Sequence, residues 1–142
     1  EAADLVGLRI VGDDLQITLV HCKYSHDATP GGRVLDLYEV AGQAIRGARW
    51  RDHSAEPLLA HLERRASNQI RRGIDPFEVG DATALRRIHE RARFKWPRLA
   101  TIIAQPGLSL SASTLEQLRV IAGADSYVRS VTKGSFDVYC SP

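Results

Sequence analysis

The chain has 142 residues, of which 44% are hydrophobic and 25% are charged, and its formal net charge is +2. These values fit one compact domain with a core rather than two domains. No apolar run approaches the ~20 residues that a membrane helix needs, and no secretory leader is recognised. The two cysteines, Cys22 and Cys140, fit a reducing compartment, so we expect a cytoplasmic protein with no membrane partner.

The charge is unevenly distributed along the chain. Residues 46–98 hold 13 of the 19 Lys and Arg but 7 of the 17 acids, a local charge of +6 against −4 for the remainder. Such a basic middle suggests either a face for polyanions or an ordinary solvated helical surface. The sequence contains no methionine, and we therefore expect residues 1–142 to be one domain of a larger protein.

Two strands are predicted at the start of the chain, over Asp4–Val11 and Leu15–Lys23. Pairing apolar with apolar residues sets Ile10 opposite Ile17 and leaves Asp13-Asp14 as a two-residue turn. Opposed residues share a face of the sheet. Continued to the other end, this register sets Leu8 opposite Leu19, Val6 opposite His21 and Asp4 opposite Lys23.

Three helices are predicted next, over Arg33–Trp50, His53–Arg72 and Asp81–Phe94. Apolar residues at helical spacing indicate the first two. Asp81 is placed to cap the third helix. The region of about 51–95 is therefore expected to be a helical insertion.

The last third of the chain predicts a buried strand over Leu99–Gln105, between two prolines. A capping box of Ser113 and Glu116 predicts a helix that runs to about Ala122 and stops at Gly123. A separate helix over Asp125–Thr132 and a strand over Ser135–Cys140 follow. The expected fold is an α/β domain with a mixed sheet and helices on both sides.

The polar end of the predicted hairpin combines a carboxylate, an imidazole and an amine, from Asp4, His21 and Lys23. One reading is a simple Asp4–Lys23 ion pair at the sheet edge. The other is metal-assisted phosphodiester hydrolysis, in which a carboxylate holds Mg²⁺ and a lysine orients the attacking water. The carbonyl of Cys22 could add an oxygen ligand, and Glu1 could be an accessory acid.

Asp4, a hairpin turn and then His21-Cys22-Lys23 resemble the acid, turn, acid-x-lysine pattern of the PD-(D/E)XK, or restriction-endonuclease-like, nuclease superfamily. The helical segment 36–44, with Gln43, resembles the glutamine-bearing helix of its RecB-like and resolvase-like branches. Residues 1–50 together with 105–109 resemble nuclease-like modules attached to bacterial DEAD/DEAH-box helicases. The resemblance implies a Mg²⁺- or Mn²⁺-dependent deoxyribonuclease that acts on DNA within a helicase-containing protein.

His21 stands where this superfamily usually has Asp or Glu, and imidazole suits Mn²⁺ better than Mg²⁺. Asp36, Glu39, Gln43 and Arg46 project along one stripe of the following helix. We therefore expect Glu39 to supply the missing carboxylate and Gln43 to orient a water or a phosphate. The predicted metal ligands are Asp4, His21, Cys22 and Glu39.

Arginines of the basic middle are expected either to track a phosphate backbone or to dock an acidic surface of the parent protein. They are Arg46, Arg64, Arg65, Arg71, Arg72, Arg86 and Arg87, and Arg91, Arg93, Lys95 and Arg98 add to them. Few aromatic residues accompany them, which favours backbone contact over base stacking.

Other readings of the same residues stay open. The first alternative is a thiol nucleophile at Cys22. The second is a zinc site from Cys22, His21, His26 and Cys140. The third is a catalytically inactive module for DNA binding or protein docking.

Overall fold

The computed structural model describes residues 2–24, 30, 31, 33–52 and 54–142. In this part of the chain four strands form one mixed sheet in the order β1-β2-β3-β4, with β1 antiparallel to β2, and with β2, β3 and β4 parallel. The strands are β1 Leu5–Val11, β2 Asp14–Cys22, β3 Trp96–Ser109 and β4 Ser135–Ser141. The α/β class and the mixed sheet are thus confirmed.

The helices that the structure describes are α1 Leu35–Ala48, α2 Ala55–Ile70, α3 Ala82–Ala92 and α4 Leu115–Thr132, with a 3-10 turn over Arg49–Asp52. Helices α1, α2 and α3 lie where the sequence predicts them, to within two residues at each end. Asp81 caps α3 as predicted, because its Oδ1 accepts a hydrogen bond from the Ala84 N–H at 2.7 Å.

The predicted hairpin register is wrong by two residues. The structure sets Ile10 opposite Leu15 and Leu8 opposite Ile17. Both registers keep apolar residues opposite each other on the same face, because the side-chain period of a strand is two, so hydrophobic matching cannot separate them. Turn chemistry decides instead. Gly12 adopts a φ of 57°, which suits a tight turn over Gly12-Asp13.

The prediction of helices on both sides of the sheet is also wrong. The helices cover the face that carries Leu15, Ile17 and Leu19 of β2 together with Leu99 and Ile103 of β3. The opposite face is exposed or half-buried throughout. Both β-α-β crossovers step in the same direction along the sheet, and crossovers of one hand then leave their helices on one side.

The core consists of two clusters of buried side chains. One joins β2 to the α2–α3 pair, and its helical members are Ala55, Leu58, Leu59, Ala66, Leu85 and Ala92. The other joins β3 and β4 to α1 and α4, and its helical members are Leu37, Val40, Ala41, Ala44, Ala48, Ala124 and Val128. The α2–α3 pair therefore packs over the β1–β2 end of the sheet.

Helix α4 and strand β3 are both longer than predicted. Thr114, and not Ser113, caps α4 in a capping box with Gln117, and the helix passes through Gly123 without a break to Lys133 in the left-handed conformation. The separate helix predicted from Asp125 is therefore wrong. Strand β3 includes Pro97 and Pro106. Both lie outside the stretch of β3 that is paired with β2 and β4 at once, and at such positions the missing N–H of proline is tolerated.

Candidate functional site

Asp4 lies just before β1 and is exposed. Its Oδ2 accepts a hydrogen bond from the Cys22 N–H at 2.8 Å, which ties the start of β1 to the end of β2. Partial desolvation and, second, the Asp4 charge raise the pKa of the Cys22 thiol. A raised pKa disfavours the thiolate, and this argues against Cys22 as a nucleophile.

Lys23 follows the end of β2 and reaches α1. Its Nζ lies 2.7 Å from Oε2 of Glu39, with the side chains 28% and 54% exposed. The hydrogen bond to Glu39 is the largest cause that raises the pKa of Lys23; partial desolvation opposes it, and the charges of Glu39 and Asp36 add to it. The ammonium group of Lys23 is therefore stabilised in its charged form at this end of the sheet.

His21 occupies a different environment at the same end of β2. With the shifted register, Asp4 is level with His21 rather than with Lys23. The His21 side chain is only 3% exposed. A Cβ built on Gly47 of α1 would stand 3.0 Å from His21 Nε2 and 3.4 Å from the carbonyl oxygen of Ala2. The imidazole thus faces the interior beneath α1, whereas Asp4 and Glu39 face solvent.

Gln43 lies one turn after Glu39 on α1 and is half-buried. Its Oε1 is buried and accepts no hydrogen bond from the described residues. An amide oxygen in this state can take a donor such as water. Arg46, one turn further, is exposed.

No group of three or more His, Cys, Asp and Glu side chains within residues 2–24, 30, 31, 33–52 and 54–142 is arranged to hold a metal ion. Mg²⁺, however, is often bound by one or two carboxylates and keeps several waters. Asp4 and Glu39 each have one oxygen engaged in the contacts above and a second oxygen that no described hydrogen bond uses. Carboxylate oxygens of this kind suit a hard, oxygen-seeking cation. Of the alternative zinc ligands, Cys22, His21 and Cys140 form no metal-holding group within the described residues, and His26 lies outside them.

A groove of about 490 Å³ runs along the outer edge of β1, beneath α2 and α3, and Asp4 is part of its wall. Most of its wall is apolar, from residues such as Val6, Leu62, Phe77 and Leu85. The sequence pattern did not indicate that apolar residues of the α2–α3 pair border the candidate site.

The predicted phosphate-contacting arginines fall into two groups. Arg46, Arg64, Arg71, Arg72, Arg86 and Arg87 are exposed. Arg65 is half-buried, and its Nη1 donates to the carbonyl oxygen of Ala3 at 3.1 Å. Arg65 therefore holds the segment that carries Asp4, in addition to any contact with a ligand.

Two exposed aromatic side chains, Phe94 and Trp96, lie among the cations between α3 and β3. The sequence pattern did not single them out, although both stand within the arginine-rich stretch. Glu1, His26 and His53 lie outside the described residues. Of the other histidines, His61 lies beside Trp50, with the two rings tilted by 37° and their centroids 5.9 Å apart. His89 contacts two glutamates of α2.

Comparisons with protein-family models, with curated proteins and with solved structures give no significant match to this chain. In the described part of the chain, no helix is both long enough and apolar enough to cross a membrane. The class that the structure defines is a mixed α/β domain with a polar cluster at the carboxyl end of β2.

Proposed function

We propose that this domain is a metal-dependent nuclease of the restriction-endonuclease-like class, which hydrolyses DNA phosphodiester bonds with Mg²⁺ or Mn²⁺. The observation that carries the proposal is the contact of 2.7 Å between Lys23 and Glu39. It lies at the end of β2 where Asp4 accepts a hydrogen bond from Cys22. The resemblance of the hairpin and of α1 to this superfamily supports the same reading.

In this proposal Asp4 and Glu39 would hold the cation, and the Cys22 carbonyl would add a further oxygen ligand. A bound divalent ion would polarise the phosphate and lower the pKa of a coordinated water. Lys23, whose pKa is raised, keeps its charge and offsets the negative charge that develops in the transition state. Gln43 orients a water or a phosphate through its amide group, and His21 supports the strand end from the interior.

DNA would be held by its phosphates. The exposed arginines of α2 and α3 lie on the helical pair that packs over the β1–β2 end of the sheet, beside the Asp4 segment. Cation–phosphate contacts of this kind position a duplex without reading its sequence. On this proposal the domain serves a larger, helicase-containing protein in DNA processing or defence.

The decisive experiment incubates the protein with supercoiled and linear DNA in Mg²⁺ and in Mn²⁺, beside Asp4→Ala. Asp137→Ala is the matched control, because Asp137 is an exposed acid on β4, at the opposite edge of the sheet from β1. Cleavage by the unmodified protein and by Asp137→Ala, but not by Asp4→Ala, is expected. Equal cleavage by Asp4→Ala would overturn the proposal.

The alternative is a DNA-binding or docking module that has the nuclease fold without the reaction. The observations in its favour are that His21 is buried and that no group of three or more His, Cys, Asp and Glu side chains among the described residues is arranged to hold a metal ion. DNA binding without cleavage in either metal would identify this module.

A further inference from the structure

The segment that joins α3 to β3 exposes two large aromatic side chains. Phe94 is 86% exposed and Trp96 is 72% exposed, and only Lys95 separates them. Single exposed apolar residues are common, but two neighbouring aromatic rings in water are costly and are typical of a binding surface. Their chemistry therefore indicates a ligand with flat or apolar groups.

The stretch of sequence that carries these rings is cationic. Residues 86–98 contain six Lys and Arg and one acid. Arg87 and Arg91 are four residues apart on α3 and therefore lie on one side of that helix, and Phe94 follows two residues after the helix ends at Ala92. In the described part of the chain Arg87, Arg91 and Arg93 make no ion pair. The cations remain available to a ligand that carries negative charge.

The aromatic segment contacts the β1–β2 turn. Lys95 Nζ donates to the carbonyl oxygen of Gly12 at 2.8 Å and pairs with Asp13 at 3.1 Å. Trp96 starts β3 level with Asp14, which also pairs with Arg98 at 3.2 Å. Because the backbone is already ordered, a ligand that stacks on Trp96 loses little of its binding energy to ordering the segment.

We propose that Phe94, Trp96, Arg87, Arg91 and Arg93 form a binding site for single-stranded nucleic acid, in which bases stack on the two rings and phosphates meet the arginines. This stacking site deepens the proposed function and rests on it for the choice of nucleic acid as the ligand. Rings stack on bases only where the bases are unpaired, as in a single strand, and stacking of this kind tolerates any sequence.

The stacking site lies at the opposite end of β2 from Cys22 and Asp4. Strand β2 has 9 residues, which span about 26 Å at the rise of an extended strand. A single substrate that occupies both places therefore has an unpaired segment at the stacking site, some distance from the bond that is cut. The inferred substrate is DNA with a single-stranded tail.

The test measures the binding of fluorescein-labelled dT15 by anisotropy, with EDTA present so that cleavage plays no part. Phe94→Ala and Trp96→Ala are each expected to weaken binding by about 5- to 150-fold, the usual range for one stacked base. Trp96→Phe keeps an aromatic ring and is expected to retain binding. Tyr127→Ala is the matched control, because Tyr127 is an exposed aromatic on α4.

The salt dependence separates the two kinds of contact. The slope of log K against log salt is expected to stay constant in Phe94→Ala and to fall by about 1.4 when Arg87 and Arg91 are both replaced by alanine, at ~0.7 for each phosphate on a single strand. Phe94 packs against little, so Phe94→Ala keeps the test valid even if Trp96→Ala unfolds in a thermal melt.

Unchanged dT15 binding by Phe94→Ala, or equal weakening by Tyr127→Ala, would overturn the stacking site. So would tryptophan emission that shifts with anionic phosphatidylglycerol vesicles but not with dT15, since the rings would then contact a lipid surface. Asp4→Ala is expected to bind dT15 normally. If the dT15 test fails while cleavage still depends on Asp4, only the stacking site is overturned. If the dT15 test succeeds while cleavage does not depend on Asp4, only the nuclease proposal is overturned.

Discussion

Oε2 of Glu39 accepts a hydrogen bond from Nζ of Lys23 at 2.7 Å, and this contact joins the end of β2 to the second turn of α1. Both side chains are partly exposed, and exposed ion pairs add little to stability. The contact is therefore more informative about position than about folding energy. It brings a carboxylate to the end of β2, where this chain has His21 in place of the acid of the PD-(D/E)XK pattern that it resembles.

Glu39→Gln tests the assignment of this carboxylate. The amide can still accept a hydrogen bond from Lys23, which is the largest cause that raises the pKa of Lys23. It removes the smaller contribution of the Glu39 charge and is a poorer ligand for a divalent cation. We expect DNA cleavage to fall by about 100-fold, since a metal supplies several kcal/mol of transition-state stabilisation and each ~1.4 kcal/mol is a factor of ten. The melting temperature is expected to stay within error.

The control for Glu39→Gln is Glu116→Gln, at an exposed acid in the first turn of α4. It is expected to cleave normally. Full cleavage by Glu39→Gln would remove Glu39 from the mechanism while leaving Asp4 and Lys23 in it.

The contact of His89 with α2 predicts a pH-dependent stability. His89 Nε2 lies 2.9 Å from Glu56 and Nδ1 lies 3.0 Å from Glu63. Burial lowers the pKa of His89, but hydrogen bonds to Glu63 and Glu56 outweigh it and the net shift is upward. A folded-state pKa above the unfolded value of about 6.5 stabilises the fold below that pH, and the contribution is lost as the pH rises through the folded value.

Urea unfolding of the unmodified protein and of His89→Gln, from pH 5.5 to pH 8.5, measures this contribution. The difference in the free energy of unfolding is expected to be largest at the acidic end and to shrink as the pH rises. A difference that grows with pH would mean that His89 is neutral in the folded protein.

Gly123→Ala tests whether α4 is one helix. Nothing lies within 4 Å of a Cβ built at Gly123, which sits inside the helix. Alanine is expected to stabilise the protein by about 1 kcal/mol, the difference in helix propensity. If the chain instead ended a helix at Gly123 in the left-handed conformation, alanine would destabilise it, and chemical denaturation distinguishes the two signs.

Gly134→Ala should have the opposite effect. A Cβ at Gly134 would stand 1.7 Å from the carbonyl oxygen of Leu99, so β4 could not keep its place beside β3. We expect a loss of at least about 3 kcal/mol, the upper end of the usual cost of overpacking. A Gly134→Ala protein that melts like the unmodified one would contradict the observed approach of the two segments.

The adjacent residues Arg64 and Arg65 are predicted to differ in role. Arg64 is exposed, so Arg64→Ala is expected to lower the salt slope of duplex binding by about 0.9 without a change in stability. Arg65 donates to Ala3, so Arg65→Ala is expected to lower the free energy of unfolding by about 1 kcal/mol as well. Equal behaviour of the two variants in both measurements would refute this division.

The helices were predictable because their signals are local. The apolar stripe of α1 and the Asp81 cap of α3 depend on residues within a few positions of each other. Local signals failed at Gly123, where the expected stop is overridden by the packing of Ala124 and Val128 in the core. They also failed at Pro97 and Pro106, which were expected to bound strand β3 but lie within it. A proline is accepted at each position because β3 is not paired with both neighbouring strands there.

The candidate site was predictable in composition but not in arrangement. The proximity of Glu39 to the Lys23 end of the hairpin follows from helix periodicity, and the structure brings the two together. Asp4 lies opposite His21 because the turn at Gly12 sets the register of the hairpin. His21 is buried because α1 approaches it closely at Gly47. Neither can be read from the order of the residues.

The amino-acid order by itself determined the α/β class, the positions of α1, α2 and α3, and the residue types at the strand ends, because periodicity and capping act over a few residues. Tertiary structure alone decided the hairpin register, the single covered face of the sheet and the exposure of Phe94 and Trp96. These depend on turn geometry, on the direction of successive crossovers and on which side chains find a partner, and each is a relation between segments distant in the chain.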